Sequence, residues 1–134
     1  MKLNAYLNFD GRCEEAFAFY QRCLGGRITD MMRFGDTPAR DHVPAALHGK
    51  IMHACLELDG QLLMGADAAP QCPYEGVKGA SMAVHAGSIE EAERLYAQLS
   101  EGGSVQMPLE ETFWARRFAA VTDRFGVPWL INCA

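Results

Sequence analysis

The stretch Gly11-Arg-Cys-Glu-Glu-Ala-Phe-Ala-Phe-Tyr20, closing on Leu24-Gly-Gly26, returns in outline further along the chain. Glu14-Glu15-Ala16 and Tyr20 recur as Glu90-Glu91-Ala92 and Tyr96, and Gly25-Gly26 recurs as Gly102-Gly103. Cys13, Ala16, Phe17, Tyr20 and Leu24 fall on one face of the first helix that this spacing predicts. Ala92, Leu95, Tyr96 and Leu99 do so on the second. The glycine pairs read as helix C-caps. Ahead of each helix the sequence alternates as a half-buried strand does. Leu3, Ala5, Leu7 and Phe9 alternate with Asn4, Tyr6 and Asn8, and Ala80, Met82 and Val84 alternate with Ser81, Ala83 and His85.

Working outward, Met52 to Leu58 stands opposite Arg117 to Asp123, both strand-like. Gly60-Gln-Leu-Leu-Met-Gly65 matches Gly126-Val-Pro-Trp-Leu-Ile131, each a turn glycine leading into an apolar run. Four elements repeating in order give an α+β chain, one domain of two βαβββ modules. The first module, 1–67, is read as strand 3–9, helix 12–24 and strands 27–34, 50–58 and 61–66. The second, 79–134, is read as strand 80–86, helix 89–101 and strands 104–110, 113–122 and 127–133. Loop 68–78 joins the modules, and loop 35–49 absorbs the difference in their lengths.

The chain has 134 residues, of which 49% are hydrophobic and 22% charged, which suffices for one sizeable core without staples. A net charge of -5, with Arg116-Arg117 the one adjacent basic pair, argues against a nucleic-acid surface. Five cysteines without a CxxC spacing suggest neither a disulfide framework nor a zinc knuckle. The absence of a long apolar run or leader-like N-terminus points to a cytoplasmic protein that does not engage a membrane. No GxSxG, Walker or dinucleotide glycine pattern is present, and nothing resembles the nucleotide-type cofactor loop of a methyltransferase.

Several motifs together carry a family likeness. Asn8-Phe-Asp-Gly11 with the helix that follows, Met31-Met-Arg-Phe-Gly-Asp36, His53-Ala54, Glu111-Thr-Phe-Trp-Ala115 and Asp123-Arg-Phe-Gly-Val-Pro-Trp129 resemble the PhnB-like branch of the vicinal oxygen chelate superfamily. This superfamily contains the glyoxalases, the bleomycin-resistance proteins and a group of dioxygenases. The resemblance implies curled mixed sheets around a cavity, helices on the outer face, and a homodimer. In its enzymes a divalent ion is held by His and Glu near the start of each module's first strand and the end of its fourth. The matching positions here are Asn4, Ala5 and Tyr6; Met64; Gly79, Ala80 and Ser81; and Leu130. None is His, Glu or Asp, so no metal and no other cofactor is expected.

Strand parity then nominates the ligand wall. Tyr6 and Asn8 share the polar face of the first strand. His53 shares a face with Cys55 and Glu57, a trio spaced about 6.5–7 Å apart along the strand and too far apart to converge on one ion. His53 is the candidate for a general base, since an imidazole titrates in the suitable range. Trp114, Arg116 and Phe118 would share a face of the predicted strand 113–122 and form a wall for an anionic or planar ligand. The expected ligand-binding set is therefore Tyr6, Asn8, His53, Trp114, Arg116 and Phe118. The expected function is metal-independent binding of a small organic molecule. The alternative is a metal-dependent or His-assisted lyase, isomerase, dioxygenase or transferase of the same superfamily. Fold does not choose between these.

Overall fold

Each copy of the repeat folds as a four-stranded mixed sheet backed by one helix. The computed structural model describes residues 1–134, divided into unit 1, residues 1–75, and unit 2, residues 76–134. Unit 1 contains β1 (Ala5–Phe9), α1 (Cys13–Leu24), β2 (Arg27–Arg33), β3 (Ile51–Leu58) and β4 (Gln61–Asp67), with strand order β1-β4-β3-β2. Unit 2 contains β5 (Met82–His85), α2 (Ile89–Ser100), β6 (Ser104–Glu110), β7 (Arg117–Thr122) and β8 (Pro128–Cys133), in the order β5-β8-β7-β6. In both, the first and fourth strands pair parallel and the remaining neighbours antiparallel. No helix is long and apolar enough to cross a membrane.

The helices bury the faces that the spacing marks. In α1, Cys13, Ala16, Phe17, Tyr20 and Cys23 are buried, and Phe17 and Tyr20 pack with Phe9 of β1 at ring-centroid distances of 6.0–6.3 Å. Cys23 takes the fully buried place expected of Leu24, which is only half-buried. In α2, Ala92, Leu95 and Leu99 are buried over the sheet face that carries Ala119, Val121, Trp129, Ile131 and Cys133, the buried residues of β7 and β8. Two different devices start the helices. Ser88 caps α2 by accepting from Glu91 N at 3.1 Å, while Glu91 reaches one residue past the cap to accept from Gly87 N at 3.3 Å, a variant of the capping box. Arg12 supplies no such cap to α1. Instead the buried Asp67 at the end of β4 accepts from Cys13 N at 2.9 Å and from Ile51 N at 2.8 Å, tying helix, β3 and β4 together.

The glycine pairs serve a further purpose. Gly25 has φ 81° and caps α1, but a Cβ on Gly26 would collide with the Glu57 carbonyl of β3. A Cβ on Gly103 would collide in the same way with the Thr122 carbonyl of β7. The second glycine of each pair thus lets the chain leave its helix close against a strand backbone.

Several boundaries differ from the sequence reading. β1 starts at Ala5 and β5 at Met82, because the residues before them have no strand partner. β7 starts at Arg117, not 113, because Thr112 and Ala115 close a turn with bonds in both directions at 3.0 and 3.1 Å. Residues 34–47 contain three short 3-10 turns. They are held by Arg40 donating to Gly35 O and by a 2.9 Å contact between His48 Nε2 and Arg40 O.

Candidate functional site

Each sheet has one face under its helix and one face turned away from it, and the expected ligand-wall residues of the strands lie on the latter. In unit 1, parallel pairing sets Tyr6 beside Met64, and antiparallel pairing sets Met64 beside Cys55 and Met32 beside His53. Paired residues share a face. Tyr6, Asn8, His53, Cys55 and Met64 therefore lie opposite Leu7, Phe9, Ala54 and Leu56, which α1 covers. A bulge at the start of β3, where Arg33 pairs Ile51 and Met32 pairs His53, lets Ile51 turn inward without reversing His53.

Across β4, the Tyr6 hydroxyl meets Nδ1 of His53 at 3.2 Å, with the rings 5.8 Å apart and tilted by 30°. Burial raises the pKa of the phenol above its ordinary value, and the neighbouring Cys13 adds to the effect. The hydroxyl is thus a reliable donor. When it donates to Nδ1, the imidazole proton sits on Nε2. Tyr6 remains 47% exposed, so the pair is open to approach. Glu57 does not join it; at the far end of β3 it faces Arg27 at 3.8 Å.

In unit 2, Trp114 lies in the turn before β7 and packs edge-to-face on Phe118 at 5.3 Å. Phe113 packs on Trp114 at 4.7 Å. Trp114 and Phe118 thus meet, although only Phe118 belongs to the strand. Arg116 is directed elsewhere: Nε donates to Ala134 O at 2.7 Å and a terminal nitrogen contacts Cys133 Sγ at 3.4 Å. Its charge anchors the end of β8 instead of standing free beside the rings. The pair His85 and Asn132, 3.4 Å apart, lies outside the expected ligand-binding set, since His85 reads from the sequence as a solvated strand-end residue. It occupies the same cross-strand row as Phe118, which shows only once the β5-β8-β7 order is known.

The donors at the superfamily's metal positions do not suit a divalent ion. Met64 offers a thioether between Tyr6 and Cys55, and Leu130 offers hydrocarbon between Ala83 and Ala120. Asn4 and Ser81 precede their strands and bring no charge. A hard divalent ion wants carboxylate oxygens, and a borderline transition-metal ion wants imidazole or carboxylate ligands. No group of three or more His, Cys, Asp or Glu side chains gathers in a way that could hold one.

The Asp123-Arg-Phe-Gly-Val-Pro-Trp129 motif serves the fold. The buried Asp123 carboxylate accepts from Phe125 N at 2.8 Å, Val127 N at 3.1 Å and Trp129 Nε1 at 2.9 Å, fixing the β7–β8 turn.

Comparison with known proteins agrees with this architecture. Residues 2–131 match the family model described as the glyoxalase/bleomycin resistance protein/dioxygenase superfamily. Protein YjdN of Escherichia coli is 35% identical over 98% of this chain and 95% of its own. The crystal structure of PA1353 from Pseudomonas aeruginosa superposes with a TM-score of 0.91 at 50% identity, covering 99% of this chain and 97% of that one. A PhnB protein from Bacillus cereus superposes with a TM-score of 0.83 at 25% identity over 100% of both chains.

Proposed function

Since the chain belongs to the glyoxalase/bleomycin resistance protein/dioxygenase superfamily, we propose that it binds a small organic molecule on the sheet faces turned away from its helices, without the divalent ion used by the superfamily's enzymes. The observation that carries this reading is the Tyr6–His53 pair. An accessible phenol and imidazole, already oriented by each other, stand on the face of the sheet turned away from α1. The thioether of Met64 and the thiol of Cys55 form an apolar floor beneath, and a few placed polar groups on an apolar surface are what small-molecule sites commonly show. The same pair supports a second reading, in which His53 Nε2 exchanges a proton with a bound substrate.

The protein is proposed to act in the cytoplasm, where five unpaired cysteines persist. It is also proposed to act as a homodimer, which would cover edge strands β2 and β6 or the exposed apolar residues near them.

A thermal-shift screen of chelator-treated protein against a metabolite library tests the ligand reading. Compounds should raise the Tm of the wild type and lose that effect in His53→Ala and Tyr6→Phe. Ligands that stabilise only after a divalent ion is restored, or that ignore both substitutions, would overturn it.

A further inference from the structure

The face of unit 2 turned away from α2 joins three features that the Tyr6–His53 surface lacks. The first is a set of rings in edge-to-face contact, Phe113 on Trp114 and Trp114 on Phe118, with Trp114 52% and Phe113 97% exposed. An edge-to-face pair uses the edge of one ring against the face of the next, so flat ring surface remains for another aromatic. The second is low ground beside the rings. Two residues beyond Phe118, Ala120 pairs with Leu130, which pairs with Ala83, so two methyl side chains flank one leucine. His85 and Asn132 bound this floor with a ring nitrogen and an amide. The third is charge. Glu110 stands directly opposite Phe118. Arg116 is held by Ala134 and Cys133, while Arg117 pairs with Cys133 on the helix-covered face and donates to Arg116 O. Glu110 is thus the charged residue in the cross-strand row of Phe118, while the Arg116 guanidinium is directed to the end of β8.

We infer that this face binds a flat aromatic cation of about the size of two fused rings, stacked on Trp114 and Phe118 with its positive charge toward Glu110. The inference rests on the reading of the uncovered faces as ligand surfaces and names the ligand class for unit 2. It departs from the anionic ligand that a free Arg116 would have favoured. Ring faces and a carboxylate both attract a flat cation, whereas the carboxylate repels a flat anion.

The test is an NMR titration following the indole N–H of Trp114, with the buried Trp129 as internal reference for an intact fold. Three ring systems of like size serve as probes: N-methylquinolinium, its neutral isostere 1-methylnaphthalene, and the anion 1-naphthoate. N-methylquinolinium should give a saturable shift at Trp114 and bind about ten-fold more tightly than 1-methylnaphthalene. Naphthoate should bind most weakly. Glu110→Gln should bring the cation and the neutral probe to similar affinities, and Trp114→Ala, followed on the proton resonances of N-methylquinolinium itself, should lose most of the affinity at unchanged Trp129 resonance. Tyr6→Phe and His53→Ala should leave N-methylquinolinium affinity unchanged, which separates this inference from the reading of unit 1. Absence of a saturable shift, equal binding of naphthoate, or full affinity in Trp114→Ala would each overturn it, whatever the library screen finds.

Discussion

Asp123→Ala deletes the acceptor on which three donors converge in the turn between β7 and β8. Phe125 N and Val127 N donate to one carboxylate oxygen and Trp129 Nε1 to the other, and both Asp123 and Trp129 are nearly inaccessible to water. A buried donor left without a partner costs about 1–3 kcal/mol. Three such donors, with part of the loss recovered by relaxation of the turn, put the cost at about 3–6 kcal/mol. That is a large share of the roughly 5–15 kcal/mol that keeps a domain folded, and corresponds to a Tm fall of about 10 °C or more. Urea denaturation followed by tryptophan fluorescence measures it. Asp123→Asn keeps one carbonyl acceptor but turns an amide toward a donor, so it should fall between wild type and Asp123→Ala. Trp129→Phe leaves the two backbone donors satisfied and should cost less than Asp123→Ala. A loss under about 1 kcal/mol in Asp123→Ala would refute the claim that the carboxylate holds this turn.

Burial, with the charges of Asp67 and Glu14 adding to it, pushes the Cys13 thiol far above its ordinary value of 9.0. The folded state therefore keeps a proton that the unfolded state loses. Stability should be unaffected below pH 9 and fall above it by up to about 1.4 kcal/mol per pH unit from this group, and the difference in slope from Cys13→Ser isolates it. Gly65→Ala would place a Cβ 2.8 Å from Leu7 O and 2.9 Å from Phe17 Cε1, and should destabilise by about 1–3 kcal/mol in chemical denaturation. Stability equal to wild type would show that α1 does not pack this closely on β4. Light scattering at micromolar concentration should return twice 14.8 kDa, and the monomer mass would remove the dimer proposal.

The duplicated helix pattern and strand alternation were enough to anticipate both units, because each depends on residues near one another in the chain. Parity also put Tyr6 and His53 on one face of their sheet, as found, since the β3 bulge falls just before His53. Contacts made at long range were not legible. Asp67 caps a helix that starts 54 residues earlier, and the sequence near Arg12 contains no sign of it. His85 and Asn132 fall 47 residues apart and meet only because β8 inserts beside β5. Arg116 lies outside the strand expected to carry it for a local reason: the Thr112 hydroxyl takes the Ala115 N–H in a turn, and β7 begins only at Arg117. Polar side chains and arginine carry little of the periodic signal that marks core positions, so the candidate site was less readable than the fold.

In each unit the fourth strand lies inside the sheet, between the first and the third. During synthesis this order has unequal consequences for the two halves. All strands of unit 1 are made by Asp67 and leave the ribosome ahead of unit 2, so its sheet can close while the rest of the second half is still being produced. Unit 2 must wait for Pro128–Cys133, and until then β5 and the β6–β7 hairpin have no interior strand to join them. Premature termination within those six residues would leave a finished first half attached to an open, apolar second half, a species suited to capture by chaperones or to aggregation.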